Sequence, residues 1–254
     1  MLKLAEINNK KEMENFLKDF PLGVRVLCYI EAYGFNCGFL NVWVGYSDKE
    51  ITSVFCDFEG SATLCASEKA DFEELSCFLS GDGFSSLCAD TETFRLLSIR
   101  PHDTKQMFEY LPNSFISFES AGNTESLREV YTLISKEIPG SFSNDESSYL
   151  HFLSDFTFRQ RRGLARLKSV TNNNQLVACA MTAAESSYSA LISGVASNSD
   201  MRGKGLGKSV VLTLAEELKN EGKTVFVIAL NKSAEAFYQK NGFKKSICIG
   251  YLNK

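Results

Sequence analysis

The 254-residue chain is 44% hydrophobic, 12% aromatic and 23% charged, the balance of a soluble globular protein and not of a disordered or collagen-like one. Its net charge of −4 gives no reason to expect a nucleic-acid partner, because phosphate backbones reward a basic face. No apolar run approaches the ~20 residues that cross a bilayer, and residues 1–16 turn charged before any signal-type apolar region develops, so a cytoplasmic protein with no membrane partner is expected.

At roughly 100–200 residues per domain, the length predicts one large domain or two small ones, and two is the working expectation. Residues 10–20 read as a short helix, and 22–31 form an apolar run open to helix or strand. Residues 51–58 and 61–66 read as strands joined by a tight turn at Glu59 and Gly60. A helix over 71–79, a strand over 84–88 and a helix over 91–99 complete a strand–helix–strand–helix order. Pro101 and Pro112 flank the polar stretch 102–106, and Ala121, Gly122 and Asn123 follow soon after. The expected boundary lies there, between a first domain over 1–112 and a second over 120–254.

The second half predicts a helix capped within 123–126 and ended by Pro139 and Gly140, then another capped within 143–145. Tyr149, Phe152, Leu153 and Phe156 give that second helix an apolar face. Three antiparallel strands follow, over 163–170, 175–182 and 188–197. An amphipathic helix over 208–220, a β-branched strand over 224–230, a short helix over 233–241 and a last strand over 243–251 close the chain. The fold class is therefore α/β in the α+β sense, with a mixed, mostly antiparallel central sheet flanked by helices. Both halves share a strand–helix–strand–helix core, which suggests duplication, although no shared motif supports it.

Charge is unevenly spread. Residues 1–110 hold 10 Lys+Arg against 18 Asp+Glu, a net of −8, and residues 111–254 hold 17 against 13, a net of +4. The second half is the better anion binder on that ground. The eight cysteines, Cys28, Cys37, Cys56, Cys65, Cys77, Cys88, Cys179 and Cys248, form no CxxC pair and lie mostly in apolar stretches, so they read as buried free thiols. His102 and His151 lack metal-ligand spacing, and no metal is expected. Trp43 reads as a core residue.

The most informative stretch is Met201–Arg202–Gly203–Lys204–Gly205–Leu206–Gly207–Lys208–Ser209, between a strand and a helix. Three glycines in five residues bring bare backbone N–H groups together at a helix N-terminus, where unpaired donors and the dipole favour an anion such as a phosphate. A dinucleotide fingerprint fails here, since GxGxxG would need glycine at Lys208 or Val210. A P-loop fails as well, since GxxxxGK[ST] would need its first glycine at Arg202.

The pattern [QR]xxGx[GA] is satisfied by Arg202, Gly205 and Gly207, and there the chain resembles the GNAT acyltransferase superfamily. A second segment, residues 230–243, strengthens the resemblance: Asn231 at a strand end, then an alanine and Tyr238 on a short helix closed by Gly242 and Phe243. The resemblance covers roughly residues 120–254, and the first half only through its run of elements. It implies a GNAT-like acyl-CoA acyltransferase fold, in tandem, with acetyl-CoA as co-substrate and an amine as acceptor. In that fold the strands over 188–197 and 224–230 splay apart, so a pantetheine arm can pair with Val195, Ala196 and Ser197 like an added strand. The diphosphate then meets the backbone of Gly203, Lys204, Gly205, Leu206, Gly207 and Lys208, beside Arg202, and Asn231 bonds the arm. Tyr238 is the implied general acid, protonating the departing thiolate.

No carboxylate lies on the strand over 188–197. Glu185 is the nearest acid in sequence and reads better as an exposed loop charge than as a base; water relayed by Ser193 is an equal alternative. The connection over 67–70 lacks glycine, so the first domain is expected to be a degenerate or accessory unit. The leading expectation is an acetyl-CoA-dependent N-acetyltransferase, and the alternative is a non-catalytic acyl-CoA-binding or sensing protein. The acceptor is not readable, and the chain is expected to be a monomer or homodimer.

Overall fold

The computed structural model of the protein describes residues 2–35, 37–81, 83–113, 118–123 and 126–253. Contacts divide the chain into two units, Met1–Met107 with Ala229–Lys232 and Lys245–Lys254, and Phe108–Ile228 with Ser233–Lys244. The chain is thus cut at Met107 and Phe108, within the strand that follows Pro101, and two later segments return to the first unit.

The first unit contains β1 (Leu2–Leu4), α1 (Lys10–Leu17), α2 (Gly23–Tyr33), β2 (Leu40–Ser47), β3 (Glu50–Phe58), β4 (Ser61–Ala66), α3 (Phe72–Leu79), β5 (Ser86–Asp90), α4 (Thr91–Leu96) and most of β6 (Asp103–Tyr110). Local chemistry sets these elements. Asp71 and Asp90 cap α3 and α4 by accepting from the amides of Glu74 (2.9 Å) and Thr93 (2.7 Å). Two-residue turns at Asp48–Lys49 and Glu59–Gly60 have φ of 48° and 69°, and of 52° and 80°, the paired positive values of a type I′ hairpin. The open 22–31 run is helix α2, whose Val24, Leu27 and Cys28 are buried. The polar stretch 102–106 is strand, not linker. His102 N donates to Tyr251 O (2.8 Å), and the polar side chain of Gln106 donates from Nε2 to Ile247 O (2.9 Å), so both backbone and side chain bond to the backbone of the last strand.

The second unit contains α5 (Leu127–Glu137), α6 (Glu146–Gln160), β7 (Leu167–Asn172), β8 (Gln175–Glu185), β9 (Ser189–Ser197), α7 (Leu206–Asn220), β10 (Thr224–Ala229), α8 (Lys232–Lys240) and the start of β11 (Phe243–Asn253). Ser126 caps α5 and Asp145 caps α6. Asn173 and Asn174 (φ 50° and 60°) turn β7 into β8. Tyr131, Phe152, Phe156, Leu167 and Met181 belong to one buried cluster between α5, α6 and the sheet.

In the first unit β1 to β5 and β11 run in the order β1-β2-β3-β4-β5-β11, with β6 next to β11, and in the second the order is β10-β9-β8-β7. Each set is antiparallel apart from one parallel pair: β4 with β5 in the first, β9 with β10 in the second. Both parallel pairs end early. β4 meets β5 only from Ser61↔Ser86 to Thr63↔Cys88, and β9 meets β10 only from Ser189↔Thr224 to Ile192↔Val227. The two units therefore repeat one mixed α/β plan. All eight cysteines are free thiols; Cys28, Cys56, Cys65, Cys88 and Cys179 are buried, Cys37 is half-buried, and Cys77 and Cys248 are exposed. Among the described residues no helix is long and apolar enough to cross a membrane.

Candidate active site

β9 is buried along Ser189–Ile192 and opens to solvent at Ser193, where β10 leaves it. From there its remaining pairing is to β8, with Met181↔Ser193, Cys179↔Ala196 and Ala178↔Ser197. The register slips between Cys179 and Met181, and Gly194 sits in the slip with φ 59°. A Cβ on Gly194 would stand 2.8 Å from Ile134 Cδ1 and 3.3 Å from Met181 Cε. This bulge requires glycine, and it bends β9 away at the point where the sheet opens. Val195, Ala196 and Ser197 follow it on the strand edge that β10 does not pair. Unpaired edge groups of this kind accept an added strand-like amide chain.

A 3-10 turn over Ser199–Met201 leads from β9 into the glycine loop. Gly203 and Gly205 have φ of 80° and 79°, and a Cβ at either would meet nothing within 4 Å, so both are left-handed and face open space. Gly205 is the N-cap of α7, whose first backbone bond runs from Ser209 N to Gly205 O (2.9 Å). The amides of Leu206 and Gly207 in the first turn consequently have no acceptor within the helix, and the 15-residue helix brings its positive end to them. A Cβ on Gly207 would lie 3.2 Å from Ser197 Oγ, so glycine there lets the helix pack closely on the end of β9. Lys204 and Lys208 flank these amides in sequence; Lys204 Nζ lies 3.2 Å from Met201 Sδ. Arg202 is turned to Glu137, with Nη2 donating to Oε2 at 2.9 Å. Glu137 escaped the sequence reading because the final polar residue of an amphipathic helix carries no distinguishing pattern. Gly194 had a signal, a lone glycine inside an otherwise apolar strand.

Tyr238, on α8, is 7% exposed and packs against Phe237 (5.3 Å between ring centroids), Phe243 (5.4 Å) and Phe108 (6.2 Å). Burial pushes its hydroxyl pKa above the ordinary tyrosine value, so the group keeps its proton through neutral pH. Among the described residues no side chain bonds the Tyr238 hydroxyl. Asn231 lies between β10 and α8 and is grouped by its contacts with the first unit.

Glu185 differs from the expected exposed loop charge. It is fully buried at the opposite end of β9 from the opening, paired with Ala190 in register. Its oxygens accept from Arg166 Nη2 (2.6 Å) and Nε (3.1 Å) and from Lys223 Nζ (2.6 Å). Two cations hold it as a structural anion, so it is not placed to serve the opening.

These features can be set beside known proteins. Residues 127–243 match the acetyltransferase (GNAT) family. A comparison with curated protein sequences returns no match. Among solved structures the chain is similar to a tandem GNAT protein from the clavulanic acid biosynthesis pathway, at 13% identity and TM-score 0.63 over 99% of this chain and 97% of that one. It is similar to a GCN5-related N-acetyltransferase from Sphaerobacter thermophilus, at 12% identity and TM-score 0.61 over 99% and 94%. It is also similar to a GNAT-family acetyltransferase from Colwellia psychrerythraea, at 15% identity and TM-score 0.57 over 100% of both. The likeness in fold thus runs through the first unit as well as the second.

Proposed function

We propose that this protein, whose residues 127–243 match the GNAT acetyltransferase family, moves an acetyl group from acetyl-CoA to a primary amine, with Tyr238 as the general acid. The observation that carries the reading is the join of two features in one unit. β9 loses β10 after Ile192, and the strand so opened leads through one 3-10 turn into a loop of left-handed glycines at the head of α7. The first offers backbone groups to an amide-bearing arm. The second offers N–H groups and a helix end to a diphosphate.

Acetyl-CoA supplies the activated thioester. Val195, Ala196 and Ser197 bind its arm along the strand edge, and the Gly203–Gly205 turn with Leu206, Gly207 and Lys208 receives the diphosphate. Tyr238 gives its proton to sulfur as the amine displaces it. The amine must itself lose a proton, and with Glu185 committed to Arg166 and Lys223, water at Ser193 or at backbone carbonyls of β9 is the route that remains on this strand. The first unit lacks a glycine loop after β4 and acts as an accessory unit of the same plan. Cytoplasmic residence and a monomer or homodimer complete the reading.

The second reading, an acyl-CoA-binding protein without turnover, is favoured by one observation: no carboxylate stands on Ser189–Ser197. Free-thiol release from acetyl-CoA across a panel of small amines, polyamines and peptides separates the two. Amine-dependent release supports transfer, and saturable binding with no release under any amine supports the second reading.

A further inference from the structure

Glu137 ends α5, and its side chain is only 5% exposed. One carboxylate oxygen accepts from the amide of Ser199 (3.2 Å) and the other from Arg202 Nη2 (2.9 Å), with Lys136 Nζ 3.9 Å away. A buried negative charge beside a loop suited to an anion opposes that use unless it is neutralised, because Coulomb interactions grow as water is excluded. Arg202 supplies the neutralisation. The first residue of the glycine signature therefore spends its guanidinium on α5, although its own side chain is 63% exposed and has solvent available.

The Ser199 bond is the second half of the arrangement. Ser199 opens the 3-10 turn that hands β9 to the loop, and Asn198 Oδ1 accepts from Asp200 N (3.0 Å) within the same turn. One side chain from α5 thus holds both the first residue of the turn and the residue just after it. On the far side the loop is fixed by the Ser209 N to Gly205 O bond. Between these two fixed ends lie only Gly203 and Lys204, and a glycine-containing segment left loose at one end loses the convergence of its amides.

We propose that Glu137 is a positioning residue for the loop: it fixes the turn over Ser199–Arg202 so that the following amides converge, and it keeps Arg202 as scaffold instead of as counter-ion to the bound anion. The proposal rests on reading the loop as the diphosphate site. Glu137→Ala and Glu137→Gln in the full chain test it, through backbone hydrogen exchange over residues 198–205 without ligand, acetyl-CoA affinity by calorimetry, and melting temperature. The alanine variant should speed exchange in this segment and weaken acetyl-CoA binding about tenfold, the loss expected for bonds to a buried charged acceptor. The glutamine variant still accepts from Ser199 N and should recover most of both losses at an unchanged melting temperature. Native exchange and native affinity in the alanine variant would overturn the proposal. Tighter binding in the glutamine variant than in the native chain would overturn it too, since Arg202 would then be a counter-ion that Glu137 withholds. Failure of the native protein to bind acetyl-CoA would remove the diphosphate reading itself, and the exchange measurement would still decide whether Glu137 holds the loop.

Discussion

Tyr238 combines two properties that a proton donor needs: a hydroxyl kept protonated by burial, and no side-chain partner among the described residues competing for its proton. Tyr238→Phe should therefore cut turnover by about a hundredfold or more, the usual worth of a general acid, while leaving acetyl-CoA affinity within about twofold. Because no side chain among the described residues bonds its hydroxyl, stability should change by less than about 0.5 kcal/mol. Equal loss of affinity and turnover would remove the acid role. The raised pKa also fixes a sign in the rate profile: the acid form persists above the ordinary tyrosine value of about 10, so no alkaline fall in turnover below that pH should trace to Tyr238. Glu185 should behave in the opposite way. Glu185→Ala leaves Arg166 and Lys223 without their buried partner, although Arg166 keeps Glu221 (2.6 Å), and should cost about 3 kcal/mol by denaturant titration with acetyl-CoA affinity unchanged. A selective loss of turnover in that variant, with native stability, would return Glu185 to the chemistry.

The glycines of β9 and of the loop separate stability from binding at the level of the element. Gly194→Ala must both adopt φ 59° and displace Ile134 Cδ1 from 2.8 Å, so it should destabilise the second unit by about 2 kcal/mol or more. Gly205→Val meets nothing within 4 Å, so its structural cost is backbone strain of about 1–2 kcal/mol, and its main effect should be on whatever approaches the loop. Melting curves with and without acetyl-CoA distinguish the two: the Gly194 variant should melt lower and still be stabilised by ligand, the Gly205 variant should not be.

Much of this was legible from residue order, for reasons that differ by element. The loop could be found because glycine at left-handed positions and at a close helix–strand approach leaves a compositional mark, as Gly203, Gly205 and Gly207 do. β8 and β9 were legible as apolar runs bounded by turn residues, and α7 because its apolar residues recur at helical spacing. β1, β2 and β6 were not. β6 begins with the polar Asp103 and Thr104, both exposed, so pairing to its neighbour had no echo in hydrophobic pattern. Glu185 was misread because a short polar turn ordinarily faces water, and its partners Arg166 and Lys223 are remote in sequence. The Glu137 contacts to Ser199 and Arg202 are remote in the same way.

At the scale of the whole molecule, buried thiols couple stability to alkaline pH. Burial raises the pKa of Cys56, Cys65 and Cys88, each against the opposing pull of Arg25, and pushes Cys179 up to about 12. An unfolded chain releases these protons first, so it binds fewer protons than the native state above the ordinary thiol value of about 8.5. Their contribution is fully present below that pH and is lost as pH rises toward about 12, at up to about 1.4 kcal/mol per unit for each group. Urea midpoints measured from pH 8 to 10.5 should fall steadily; a flat series would contradict burial of the thiols in solution.

The repeated plan of the two units, with one early-ending parallel pair in each, leaves the glycine loop after β9 as the feature that sets the second unit apart. Its worth is tested most directly by calorimetric titration of the full chain with acetyl-CoA, beside the Gly205→Val variant. Saturable binding at one site per chain, lost in the variant, is the predicted result. Absence of binding by the native protein, or undiminished binding by the variant, would contradict the assignment of the loop as the place where the co-substrate is held.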